Sequence, residues 1–387
     1  MENMLSDNIA VILGIAVFLL AWASPLFSPL FRWKGKKEER EKDANLPPVS
    51  IIIASHDDAV QLEKHLPSIL LQDYPVQYEV IVVIEKGDHE VEDVLKRIQY
   101  NHAQQAGNAR LYVTYIPETS RYMSRRKLAI TLGVKAAKNE WLLLTDSDCE
   151  PASSRWLANM ARNCEEGKSL VMGYASYEDD CSSFKRYDRF YNFCYLLRES
   201  SCGQAYRTNC PNLMFRKSLF MEQDGYLGNL NLVRGEYDFL VNKYAKKGNA
   251  ATETAPEAWV IQDAPTNRSW SNIRVYYMET RRSLQRSRMH RLVFGVDQAV
   301  MRIFTLMVFV SLAYSLLMSN WLLSGIAVIS MLVEFLARYS INRHAIKRFG
   351  ENLSWSVMYD RLVMWSNLFF LCRHKCADHQ DFTTHKQ

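Results

Sequence analysis

The chain has 387 residues, 48% of them hydrophobic and 23% charged, with a net charge of +5. That length accommodates one large or two ordinary domains with a sizeable core. The basic excess is mild and falls in three clusters, at 31–42, 281–291 and 338–348. Each lies beside a long apolar segment, which argues against a nucleic-acid-binding face and for a membrane.

In chain order, residues 9–27 (IAVILGIAVFLLAWASPLF) carry no charge and are long enough to cross a hydrocarbon core. A cleaved signal peptide competes through the AWA at 21–23. However, the leader MENMLSD is acidic where such peptides are basic, so residues 1–30 are read as an uncleaved anchor. A charged juxtamembrane linker, 31–47, leads into a soluble domain over 48–290. Short β-branched or aliphatic runs at 49–55, 79–85, 109–116 and 140–146 read as strands. Helical spacing fills the intervals at 59–72, 89–105 and 124–138. This alternation predicts an α/β fold with a mainly parallel sheet and helices on both faces. The aromatic stretch at 184–197 reads as core, with an acceptor groove as the alternative.

Two apolar runs, 299–318 and 321–337, are separated by only SN and predict a transmembrane helical hairpin over 298–338. Glu334 lies inside the second and calls for tilt or burial against a neighbour. All three basic clusters fall on one side if the N-terminus is outside and residues 48–290 are inside, with the hairpin returning the C-terminus inside. The soluble domain is therefore expected on the cytoplasmic side of a membrane that the chain crosses several times. Eight irregularly spaced cysteines agree, since no disulfide framework is visible. In the tail, 339–387, residues 354–371 suggest an interfacial amphipathic helix. Cys372, His374, Cys376 and His379 do not follow a usual zinc spacing and read as an ordinary tail.

Ligands of parallel α/β sheets bind at the carboxyl ends of the strands. Three of these ends are acidic: SHDD (55–58), EKGD (85–88) and TDSDCE (145–150). Carboxylates gathered at one rim repel one another unless a cation sits among them, and Mg²⁺ or Mn²⁺ with oxygen ligands bridges carboxylates to substrate phosphates. No glycine-rich phosphate loop is present, so a diphosphate would be held through the metal. The alternative is that Asp146 and Asp148 only cap a turn.

The segments VSIIIASHDDA, LQDYPVQYEVIVV, RKLAITLGVKAAKNEWLLLTDSDCEP and NLMFRKSLFMEQDGY together resemble glycosyltransferase family 2, most closely its membrane-anchored bacterial members. The resemblance covers about 47–290 and implies a GT-A fold. It places Ala54, His56, Asp58 and Glu85 around the nucleoside of a nucleotide-sugar donor, UDP-linked by expectation, and Arg126 beside the donor. Asp146 and Asp148 match the metal-binding triplet. In RGEYDFLVNKYAKKG (234–248), Asp238 and Glu236 match the acid pair that supplies the base, Asp238 being favoured. ETRRS (279–283) stands where processive members carry an arginine motif. Arg281 and Arg282 could meet a phosphate on the acceptor side, or anionic lipid, while Ser283 in place of the motif's tryptophan implies a non-processive enzyme.

The expected activity is inverting transfer of a sugar to a lipid-linked or membrane-proximal glycan in envelope or exopolysaccharide synthesis, without nucleic acid as a partner. The resemblance to bacterial members implies a bacterial inner (cytoplasmic) membrane as its location. The altered second-strand motif and the tyrosine interrupting the acid pair keep a second reading open. In it, the chain is a catalytically impaired member that binds nucleotide sugar or organises polysaccharide assembly partners.

Overall fold

The structure, a computed structural model, describes residues 2–31, 45–104, 107–117, 124–202, 204–286, 288–353 and 356–383. Most of the expected linker, 32–44, and the side chain of His379 fall outside the described residues. The chain forms two compact units, Met1–Gly35 with Arg286–Phe369, and Lys36–Gln285 with Phe370–Gln387.

The first unit opens with α1 (Glu2–Ala23), whose uncharged stretch is the expected anchor. The second unit begins with β1 (Val49–Ala54), α2 (Ala59–Leu70), β2 (Tyr78–Glu85), α3 (His89–Ala103), β3 (Ala109–Ile116), α4 (Arg125–Ala136) and β4 (Trp141–Thr145). Strands β1, β2, β3 and β4 are mutually parallel where they pair, with Ile52 opposite both Ile81 and Leu144. Ile51, Ile52, Ile53 and Val80 to Ile84 are fully buried. Each such aliphatic side chain stabilises the fold by about 1.5–3 kcal/mol relative to exposure. Helix α4 covers the face bearing Ile52, Ile81 and Val83 with Ala129, Ile130 and Val134. Its Gly133 permits the close approach, since a Cβ there would stand 2.5 Å from the Ile52 side chain.

The chain continues through β5 (Cys149–Pro151), α5 (Trp156–Ala161), β6 (Leu170–Met172), β7 (Ala175–Tyr177), α6 (Ser183–Cys202), β8 (Leu213–Arg216), α7 (Lys217–Glu222), α8 (Glu236–Tyr244), β9 (Ala250–Thr252), β10 (Val260–Gln262) and α9 (Asn267–Ser283). One sheet has the order β3-β2-β1-β4-β8-β6-β9, and a small second sheet has the order β5-β10-β7. Strand β8 runs antiparallel to β4 and β6, which breaks the purely parallel pattern on one side. The aromatic helix α6 buries Tyr187, Phe190, Tyr191 and Phe193, as its helical spacing suggested.

The first unit is completed by α10 (Arg288–Leu317), α11 (Trp321–Phe349) and the first part of α12 (Ser356–Lys375). Three segments, Asn8–Phe27, Gly295–Leu317 and Trp321–Phe349, are long and apolar enough to span a membrane. Both helices of the hairpin run well beyond the apolar stretches read from sequence. The reason is that their polar residues pair inside the unit. Arg338, 1% exposed, donates from Nε to Glu334 Oε1 at 2.7 Å, from Nη1 to Asp360 Oδ2 at 2.8 Å and from Nη2 to Ser24 Oγ at 2.7 Å. Glu334 also takes an ion pair from Arg361. Helix α12 thus turns Asp360 inward while Met358, Leu362, Trp365 and Phe369 form an exposed apolar stripe.

Candidate active site

The parallel register places the ends of β1, β2 and β4 at one rim, with Ala54 opposite Val83 and Ile53 opposite Thr145. After Ala54 the chain turns sharply, Asp57 adopting a left-handed φ of 56°. Asp58 stands at the N-cap of α2 but does not cap it with its side chain. Its Oδ2 instead accepts from Ser147 Oγ at 2.6 Å and from the His56 backbone N–H at 3.1 Å. His56 Nδ1 lies 3.1 Å from Glu85 Oε1, and Arg125 bonds the same carboxylate. The three acidic strand ends are therefore linked: Glu85 to His56, His56 to Asp58, and Asp58 to the serine of the triplet.

Within the triplet neither aspartate side chain serves as a turn cap. Asp146 Oδ1 accepts from Arg126 and from Tyr237 Oη, the latter at 2.5 Å. Asp148 accepts from Gln262 Nε2 at 3.1 Å and 2.9 Å on its two oxygens. Burial, reinforced by the negative charge of Asp146, raises the proton affinity of Asp148 above the usual carboxylate range.

The first turn of α8 faces this rim. It begins at Gly235, which has φ 97°, and a Cβ there would lie 2.4 Å from Thr280 Cγ2, so both backbone conformation and space require glycine. The next three residues go to three different partners. Glu236 is buried, and its Oε2 accepts the Gly235 N–H at 3.2 Å. Tyr237 reaches Asp146. Asp238, also buried, lies 3.4 Å from Nη1 of Arg207, whose guanidinium stacks over Tyr277 at 3.9 Å. Burial pushes the Asp238 carboxyl up to about 6, with Arg207 opposing the shift and Glu236 adding to it.

Residues 50–223, which include the rim and its triplet, match the sequence model of glycosyl transferase family 2. Residues 50–223 form a glycosyltransferase family 2 domain. Helix α8 and its acids lie beyond the matched span. Among solved structures, the mannosyltransferase PcManGT from Pyrobaculum calidifontis, in complex with GDP-Man and Mn²⁺, is 17% identical. The alignment covers 86% of this chain and 98% of that one, with a TM-score of 0.53. S. aureus TarS 1–349 in complex with UDP-GlcNAc is 14% identical over 83% of this chain and 92% of that chain, with a TM-score of 0.41. At these identities the likeness to PcManGT is one of fold. No curated protein matches the sequence.

The glycosyltransferase rim suits a hard dication by the chemistry of its donors. Among the described residues no three His, Cys, Asp or Glu side chains form a ready ligand set. Yet Asp148 is a buried carboxylate beside a second carboxylate, and a cation there would relieve the repulsion that now favours its protonation. Of the three cations opening α4, only Arg126 reaches the triplet. Arg125 goes to Glu85, and Lys127 turns inward to the carbonyl oxygens of Asn229 and Leu232 at 2.6 Å each. Arg282 pairs with Glu279 at 3.3 Å, and neither it nor Arg281 bonds the site carboxylates. His374 Nε2 lies 2.7 Å from Glu279 Oε2, so this tail histidine is engaged with α9. Sequence reading missed Gln262 and Arg207, which come from short segments without periodicity, and treated Tyr237 as an interruption.

Proposed function

We propose that this glycosyltransferase moves a sugar from a nucleotide-sugar donor, UDP-linked, to a hydroxyl of a lipid-linked or membrane-proximal glycan, with inversion at the anomeric carbon and one sugar per encounter. Ala54, His56, Asp58 and Glu85 would surround the nucleoside, Asp146 and Asp148 would hold Mg²⁺ or Mn²⁺, and Arg126 would stand beside the donor diphosphate. A bound dication supplies positive charge against the leaving diphosphate. Arg126, already drawn to the triplet, adds a fixed positive charge at the same place. Asp238 accepts the proton of the acceptor hydroxyl; the oxygen forms its bond to the anomeric carbon, and the carbon–oxygen bond to the diphosphate breaks in one displacement. A carboxyl near 6 is largely ionised at neutral pH and still basic enough for this task.

One observation carries the reading: a single helical turn joins the donor carboxylate to the candidate base, Tyr237 binding Asp146 while Asp238 stands buried beside Arg207. The candidate spans and the basic end of α11 (Arg343, Lys347, Arg348) support a membrane location with the domain on the cytoplasmic side, where envelope or exopolysaccharide precursors are assembled. The test is a panel of nucleotide sugars assayed for metal-dependent release of nucleoside diphosphate with membrane lipid extract present. Release that depends on Asp238 and Asp148 supports transfer. Metal-dependent nucleotide binding without turnover would support the scaffolding role instead.

A further inference from the structure

We infer that Gln262 is a protein ligand, alongside Asp148, for the divalent cation of the donor site, brought into play by a half-turn of its side-chain amide. The inference rests on the reading that the triplet holds such a cation. Gln262 closes β10, where register places it opposite Cys149 of β5 on one side and Tyr177 of β7 on the other. Its backbone is therefore fixed by a sheet on both edges. The next residue is fixed as well. The Asp263 N–H donates to the Asp148 carbonyl at 2.9 Å, and the Asp263 carboxylate is clamped by Lys64 Nζ at 2.8 Å and His65 Nε2 at 2.9 Å. With the main chain held, the terminal amide is the part of Gln262 that can adjust.

That amide is half satisfied. Its nitrogen donates to both oxygens of Asp148, whereas Oε1 is buried and has no hydrogen-bond partner. A buried acceptor left without a partner is uncommon and calls for an explanation. An amide has two-fold pseudo-symmetry, so a half-turn exchanges its donor and acceptor ends within nearly the same volume. With no cation, the N–H end is the correct end to offer a carboxylate. Once a dication sits against Asp148, that end is repelled and the carbonyl oxygen becomes the favourable one, a hard neutral donor of the kind Mg²⁺ and Mn²⁺ accept. On Asp146, Arg126 and Tyr237 both bond Oδ1, so it would meet the same cation through Oδ2.

The experiment uses the full chain in detergent and titrates Mn²⁺ with and without UDP, following loss of the free-ion signal by electron paramagnetic resonance. Wild type should bind, and Gln262→Leu should weaken binding roughly tenfold or more, the scale seen when partners around a metal are removed. Gln262→Glu decides between two roles. A ligand exchanged for a charged oxygen donor tightens Mn²⁺ binding. A side chain that merely donates to Asp148 loses that bond, adds repulsion and weakens it. Weaker binding by Gln262→Glu, or Gln262→Leu within twofold of wild type, overturns the inference while leaving the cation site standing. Wild type that binds no Mn²⁺, indistinguishable from Asp148→Asn, overturns the cation reading and this inference together.

Discussion

Two arginines, one in each unit, are buried against carboxylates and live in different regimes. Arg338 spends its nitrogens on Glu334, Asp360 and Ser24 at 2.7–3.0 Å, within the range of strong charge-assisted bonds. Arg207 faces a single carboxylate at 3.4 Å, leans its plane on Tyr277 and keeps its Nε buried without a partner. Burying charge costs several kcal/mol per ion unless geometry and extra bonds compensate. The compensated arginine, itself on α11, ties the turn at Ser24 to α12, with Asp297 of α10 3.8 Å away. The slack one leaves Asp238 free to exchange a proton. The contrast separates a group that fixes structure from one that can serve chemistry.

The largest expected effect breaks the slack pair. Asp238→Asn should lower kcat about 10²–10⁴-fold, the usual range for a general base, with little change in donor KM. Glu236→Gln should cost far less, and the reverse order in a steady-state assay would exchange their roles. Next comes the saturated pair. Arg338→Met leaves Glu334 and Asp360 buried without their main counter-charge, a loss of about 3–5 kcal/mol visible as a lower melting temperature in detergent. Replacing Arg338, Glu334 and Asp360 together by apolar residues of similar volume should recover much of that loss.

A third test sharpens the electrostatic difference. Because Asp238 must be ionised to accept a proton, kcat should fall about tenfold per pH unit below roughly pH 6 and level off above it. Arg207 favours the ionised form, so Arg207→Gln should move that acid limb to higher pH without abolishing activity. An unmoved limb would separate Arg207 from the base. The smallest effect is expected from Tyr237→Phe. It removes one hydrogen bond to Asp146, about 0.5–1.5 kcal/mol, and should reduce kcat/KM for the donor by roughly 2–10-fold.

Much of the fold was legible because β1, β2 and β4 are buried along nearly their whole length, and edge strand β3 is rich in β-branched and aromatic residues. The runs at 49–55, 79–85, 109–116 and 140–146 match β1 to β4 within a residue or two. The three-residue strands β5, β7 and β10 were not legible, because so short a run has no period to detect. At the rim, the acidic strand ends stood out, but their connections did not: Ser147 to Asp58 joins residues 89 positions apart. Lys127 shows the limit plainly. It stands next to Arg126 in sequence, yet one step around a helix turns it from the rim into a nest of carbonyl oxygens, where burial lowers its ammonium to about 8. Arg207 and Gln262 acquire meaning only from partners that folding brings to them.

Gly235 and Thr280 form a lock between α8 and α9, and the lock sets which changes a laboratory can make at the start of α8. A side chain added at position 235 must displace Thr280, so the two positions form one unit of variation and should be randomised as a pair or left alone. Libraries that treat Gly235 as an ordinary loop position would spend most of their members on proteins in which the first turn of α8, with Glu236 and Asp238, is displaced. Diversity placed away from this pair would leave the turn that carries Asp238 intact.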